Sequence, residues 1–182
     1  MSDRFKPRSL CPWAPADTPA LALAVARRAL LDVGICERPP GSNRSGRIDE
    51  YVRAVGAPLG SFWCAAAVSA WFREAGAATP AAAAASCDAW MTWGEEIGHW
   101  SAMPEIGAAV VYGVPGDASH IGVVVRTTPL LLSVEGNTSL EGGSRTGVAV
   151  DLKRVRIGRV LGYVRPIRDE RLVDEWGAYE EP

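Results

Sequence analysis

Three short stretches carry residue types that could do nucleophilic chemistry, and they follow one another along the chain. Cys64 lies in SFWCAAAVSAWF, His120 opens HIGVVVR, and Glu135 and Asn137 close LLLSVEGN. The pattern after Cys64 is helical, which places its sulfur against unpaired backbone N–H groups and the positive end of the helix dipole. Both favour the thiolate, the reactive form of cysteine. A small buried core residue is the alternative for such a cysteine. Of the two histidines, His99 in EIGHW sits in a loop among aromatics and reads as structural or exposed. A glutamate ending an apolar strand is costly to bury without a partner, unless it marks a solvated hairpin end. Cysteine catalysis needs a thiolate, a base beside it and a group that orients the base. Cys64, His120 and the Glu135/Asn137 pair supply one of each.

These residues depend on the elements that hold them. Thr127 to Pro129 is a short turn, so the strands bearing His120 and Glu135 pair antiparallel, and an odd register sum puts His120, Glu135 and Asn137 on one face. Upstream the signals are helical. Thr18 and Pro19 start a helix with Leu21, Val25, Ala29 and Val33 four residues apart, stopped by Gly34. After a turn over Pro39–Asn43, a second helix spans Ile48 to Val55. The third runs from Cys64 to Ala75, with Val68, Trp71, Phe72 and Ala75 on one stripe, and ends at Gly76 and Pro80. Residues 81 to 85 are all alanine and read equally as a short helix or a connector. Ser86 caps a helix holding Trp90 and Trp93. Trp63 could wall a cleft or fill the core, and Trp90, Trp93 and Trp100 read as core before sugar platforms.

From Ala108 the period changes. Ala108–Tyr112, Ile121–Arg126, Leu130–Glu135, Val148–Val155 and Val160–Arg165 are β-like runs between turn residues. Helices first and strands second predict an α+β fold with N-terminal helices packed on a C-terminal antiparallel sheet. The chain divides into an irregular lead-in over 1–17, a domain over 18–168 and a charged tail over 169–182 with one short helix around Val173.

At 182 residues, 48% hydrophobic and 22% charged, the chain is long enough for a core of its own. A net charge of -2 offers no electrostatic grip on nucleic acid. Cys11, Cys36, Cys64 and Cys87 show no CxxC pairing and no ligand spacing with a histidine, so reduced, metal-free thiols are expected, with Cys87 and His99 as bystanders. The apolar stretch from Leu21 to Val33 is short and broken by Arg27 and Arg28, so it spans no membrane, and it lacks the layout of a signal peptide. The expectation is a protein made in the cytoplasm and delivered by another system.

The chain GSNRSGRIDEYVRAVGAPLGSFWCAAAVSAWFREAG, together with SHIGVVV and VEGNTS, resembles the CHAP-domain amidases, papain-like cysteine peptidoglycan hydrolases related to NlpC-type cell-wall peptidases. The resemblance covers roughly residues 20 to 166. It implies a papain-like fold and hydrolysis of peptidoglycan amides, either the N-acetylmuramoyl-L-alanine bond or a peptide linkage. Carried over by position, it makes Cys64 the nucleophile, His120 the general base and acid, and Glu135 and Asn137 the orienting groups. The Cys64 N–H supports the oxyanion, with Asn43 a weak candidate for the second donor and Trp63 for the cleft wall. Two departures stand out. Members often carry Gly-Asp before the histidine strand, whereas this chain has Gly107 then Ala108. Some carry an acidic calcium loop before the cysteine, whereas GSNRSGRIDEY has too few carboxylates, so no metal or cofactor is expected. The expected partner is peptidoglycan, with a phage or secretion assembly for delivery. The rivals are a cysteine transferase or protease of the same fold, and a non-catalytic structural or binding module of a phage particle.

Overall fold

The computed structural model describes residues 11–81, 84–138 and 147–172. Four helices come first: α1 (Ala20–Leu31), α2 (Gly46–Ala54), α3 (Cys64–Glu74) and α4 (Cys87–Glu96). Six strands follow: β1 (Trp100–Ser101), β2 (Ala109–Val114), β3 (Asp117–Arg126), β4 (Leu132–Thr138), β5 (Ala149–Arg154) and β6 (Val160–Val164). They form one antiparallel sheet in the order β1-β6-β2-β3-β4-β5. The chain is therefore α+β, as the change of period near Gly107 predicts.

Local chemistry explains most element ends. Ser45 and Ser86 cap α2 and α4, each side chain accepting a backbone N–H from the first turn. The first helix departs from expectation at both ends. Pro19 precedes it and no side chain caps it, so Thr18 has no capping role. It stops at Leu31, which leaves Val33 exposed rather than on the buried stripe. The two-residue β1 has no sequence pattern of its own and is held by pairing with β6 (Trp100 with Val164, Ser101 with Tyr163). Of the alanine run, residues 82 and 83 lie outside the described residues, as does the tail helix expected at Val173; the described chain ends in a 3-10 turn over Glu170–Leu172.

Alternate residues of the central strands serve two cores. Ala109, Val111, Ile121, Val123, Val125 and Val134 pack with the helices, while Val110, Tyr112 and Val124 join Val155 and Tyr163 in a smaller cluster. Helix α3 is the centre of the larger core. It is buried from Cys64 to Phe72 and contacts α1, α2, β3 and β4. Its alanines, Ala65, Ala66, Ala67 and Ala70, let those neighbours come close, and each fully buried Val or Phe around them contributes about 2 kcal/mol.

One carboxylate joins the helices. Asp32 follows α1 directly and is 5% exposed. It accepts from Tyr51 Oη of α2 at 2.5 Å and from Trp71 Nε1 of α3 at 2.8 Å. Arg28 and Arg47 pair with it at 3.1 Å each. Burial alone would raise its pKa, but the Tyr51 and Trp71 hydrogen bonds and the two guanidinium groups hold it below the ordinary 3.8. Asp32→Ala leaves two buried donors without an acceptor, so we expect a loss of about 3 kcal/mol in unfolding free energy. Because the folded pKa is depressed, the carboxylate's contribution is present above pH 3.8 and fades as pH falls further. Urea titrations of both proteins at neutral pH check the loss; equal midpoints would remove Asp32 from this role.

Candidate active site

The first turn of α3 presents Cys64. Trp63 occupies the N-cap position and its side chain makes no cap bond, so it leaves the first N–H groups of the helix free for other acceptors. The Ala65 N–H is directed to the Cys64 sulfur. Trp63 itself acts as a bolt. It is fully buried, donates from Nε1 to Glu37 Oε1 at 3.0 Å and stacks on Tyr51 with ring centroids 6.2 Å apart. Its ring lies over Gly136 of β4, where an added Cβ would sit 2.7 Å from Trp63 Cζ3. Trp63 is thus no cleft wall. It fixes the start of α3 against β4, and the neighbouring Phe62, 61% exposed, lines the cleft in its place.

His120 comes from β3 and Glu135 from β4. The two strands pair with Gly122 opposite Glu135 and Val123 opposite Val134, an odd register sum that puts His120 and Glu135 on one side. Gly122 makes room for this, since a Cβ there would sit 2.7 Å from Glu135 Cγ. His120 Nε2 meets Glu135 Oε2 at 3.0 Å, with both side chains 1% exposed. Glu135 is held in turn by Tyr112 Oη at 2.7 Å and Ser133 Oγ at 2.8 Å, and Arg156 lies 3.6 Å away. Tyr112 pairs with His120 across β2 and β3, stacks on its ring at 5.9 Å and carries the Arg156 guanidinium on its other side at 4.9 Å. None of Tyr112, Ser133 and Arg156 is a residue type that sequence alone marks as catalytic.

With Nε2 taken by Glu135, Nδ1 is the ring nitrogen left for the Cys64 sulfur. The sulfur and ring interact electrostatically, although Nδ1 makes no hydrogen bond of ordinary geometry. The sulfur and the ring are thus neighbours that influence each other's charge without a formed hydrogen bond, a looseness common in catalytic pairs before substrate binds.

The charges follow from these neighbours. For Cys64 the largest influence is the thiol of Cys87, whose Sγ lies 3.9 Å away. Burial opposes it, and His120 and the Ala65 N–H reinforce it, so the Cys64 pKa falls well below the ordinary 9.0. Burial alone would lower His120, but hydrogen bonds and charge from Cys64 and Glu135 outweigh it and push the imidazole up to about 9. Glu135, despite burial, is held below its ordinary 4.5 by His120, Tyr112 and Ser133. Together these shifts favour a thiolate, an imidazolium and a carboxylate.

The site opens into a cleft of about 230 Å³ bounded by Cys64, Cys87, Phe62, Asp88, Ser119 and Asn137. Asp88, the one charged residue of its lining among the described residues, accepts the Ala118 N–H at 2.8 Å and so ties the start of α4 to β3. Asn137 is not an orienting group for the histidine. It makes no hydrogen bond to the ring; its backbone takes a left-handed φ of 53°, and the residue borders the cleft while buried, with Oδ1 unbonded among the described residues. Asn43 also adopts a positive φ, of 54°, which suits a turn, and it does not line the cleft. His99 borders a separate, larger hollow of about 680 Å³ with Trp93 and Arg168, which no cysteine among the described residues lines. Cys87, a bystander by sequence, is the correction that matters most, because folding sets it against Cys64. No group of three metal-ligating side chains occurs among the described residues.

Two measurements follow. At pH 6 a thiol of ordinary pKa holds only about a thousandth of its groups as thiolate. Cys64 should still be alkylated readily at that pH, whereas Cys11, whose pKa is raised by burial, should not. In His120→Ala the Cys64 rate should instead climb between pH 6 and 9; an unchanged profile would sever the two residues. For stability, His120 has a raised folded pKa, so its contribution is complete below its ordinary 6.5 and is lost as pH rises through about 9. Glu135 has a depressed one, so its contribution is complete above 4.5 and is lost as pH falls. The Tm gap between wild type and Glu135→Gln should be widest from about pH 4.5 to 6.5 and narrow on both sides; a flat gap would mean the pair is not ionised.

No helix among the described residues is long and apolar enough to cross a membrane. No family model, curated protein or solved structure matches the chain, so its function rests on the chemistry of the site.

Proposed function

We propose that the protein is a cysteine amidohydrolase of the papain-like, CHAP type that cleaves amide bonds of bacterial peptidoglycan through an acyl-enzyme on Cys64. The observation that carries the chemistry is the succession Cys64, His120, Glu135, with Cys64 bordering an open cleft and the other two buried behind it. The substrate class is supported by the resemblance of the SFWCAAAVSAWF, SHIGVVV and VEGN segments to those amidases.

The steps follow from the charges. The Cys64 thiolate attacks the carbonyl carbon of a stem-peptide or cross-bridge amide, forming a C–S bond. The backbone N–H of Cys64, at an uncapped helix start, faces the developing oxyanion. The His120 imidazolium gives the Nδ1 proton to the leaving nitrogen as the C–N bond breaks. Neutral His120 then takes a proton from water, which attacks the thioester and frees the acid. Glu135 keeps Nε2 protonated throughout, so one tautomer serves both transfers. Tyr112 and Ser133 hold Glu135 in place while the ring changes charge.

Digestion of purified peptidoglycan, followed by mass spectrometry of the released muropeptides, tests this and names the bond. Wild type should generate new amino groups. Cys64→Ala and His120→Ala should lower the rate by at least about a thousandfold while keeping the fold. Glu135→Gln should cost less, about ten- to a hundredfold, because the amide still fixes the ring without its charge. His99→Ala should match wild type. A wild-type protein that releases nothing, or a Cys64→Ala variant as active as wild type, would overturn the proposal.

A further inference from the structure

One buried nucleophile has no part in those steps. Cys87 opens α4 as Cys64 opens α3, and the two sulfurs lie 3.9 Å apart on one side of the cleft. They are 23 residues apart in sequence, yet the loop after α3 and the start of α4 bring them together. Cys11 and Cys36 do not border this cleft.

We propose that Cys64 and Cys87 form a reversible disulfide that switches the nucleophile off. A disulfide needs its sulfurs at about 2.05 Å, so they must close by roughly 2 Å, a change within reach of side-chain rotation at two helix starts. Both residues are largely buried, at 9% and 8% exposure, but the cleft admits a molecule as small as a hydroperoxide. The Cys64 thiolate attacks the outer oxygen of the hydroperoxide. The O–O bond breaks, the departing alkoxide leaves as the alcohol with a proton from His120, and Cys64 becomes a sulfenic acid. Cys87 then gives its proton to His120 and attacks the Cys64 sulfur. The S–O bond breaks, hydroxide leaves as water with that proton, and the S–S bond forms. In sum, two thiols and one hydroperoxide yield a disulfide, an alcohol and water. A dithiol reductant reverses this by thiol–disulfide exchange.

The switch rests on the reactive Cys64 thiolate of the proposed function, and it adds a consequence. Without Cys87 the sulfenic acid has no neighbouring thiol, and further equivalents of hydroperoxide convert it irreversibly to sulfinic and then sulfonic acid, each releasing one alcohol. Cys87 is thus a resolving partner that spares the nucleophile.

The test uses the full chain and hydrogen peroxide, read by thiol titration under denaturing conditions and non-reducing peptide mapping. Trypsin places Cys64 in the peptide 54–73, Cys87 in 74–126 and Cys36 in 29–44, so linkage is unambiguous. In wild type, two of the four thiols should disappear and a 64–87 peptide pair should form, lighter than the sum by two hydrogens. Dithiothreitol should restore all four. In Cys87→Ser, Cys64 should instead gain two or three oxygens that dithiothreitol does not remove. Wild type that gains those oxygens at the same rate as Cys87→Ser, or that links another cysteine pair first, overturns the switch. The wild-type mapping decides this even if the variant fails to fold. Wall digestion measured on the reduced protein separates the two proposals: linkage without digestion rejects the hydrolase and keeps the switch, and digestion without linkage does the reverse.

Discussion

The buried pair of Glu135 and His120 is the constraint around which the molecule is arranged. Taking a carboxylate and an imidazolium out of water costs several kcal/mol each, and attraction in a medium of low dielectric offsets this only when the remaining lone pairs and protons are also satisfied. For Glu135 the fold meets that condition from three strands and one loop, while His120 Nδ1 is left without a hydrogen bond beside the Cys64 sulfur. Tyr112 of β2 and Ser133 of β4 supply the other hydrogen bonds to Glu135, and Arg156, between β5 and β6, brings the nearest cation. The sheet order follows the same need, since Tyr112 reaches Glu135 only because β3, which carries His120, lies between β2 and β4.

A second constraint aligns the helical layer with that pair. The sulfur has to meet a ring carried by a strand, so the start of α3 cannot drift. Trp63 locks it from beneath through Glu37 and Gly136, and Asp32 locks the body of the helix through Trp71. Residues with no chemical role thereby set the distance on which the chemistry depends. Proton transfer of this kind tolerates little misplacement, which is why buried hydrogen bonds, and not surface contacts, fasten α3 at both points.

Much of this was legible in the sequence where local pattern and chemistry agree. WCAAAVSAWF announces a helix opening on cysteine, and the short turn at Thr127–Pro129 forces His120 and Glu135 to a common side. Contacts made between distant segments were not legible. Nothing around Asp32 says that its carboxylate will meet Tyr51 and Trp71, and nothing in the spacing of Cys64 and Cys87 says that their sulfurs will touch. Asn137 misled for a different reason. Alternation along β4 assigns it to the side of Glu135, but a left-handed backbone and a register irregularity between Glu135 and Thr138 interrupt that alternation. Trp63, read as a possible cleft wall, is fully buried, and its neighbour Phe62 borders the cleft, a difference between adjacent residues that only the packing decides.

Gly122 and Gly136 bear on how such a protein can vary. One lies across from Glu135 and the other directly follows it, and each faces heavy atoms 2.7 Å from where a Cβ would stand. In a saturation-mutagenesis library both positions would tolerate as few replacements as the nucleophile itself, though neither takes part in any bond change. A map of mutational tolerance would therefore outline a larger region than the residues of the proposed chemistry, with its margin drawn by steric exclusion. Lineages descending from such a chain could exchange the residues facing the cleft and so change substrate, while this two-glycine frame around the acid stayed fixed.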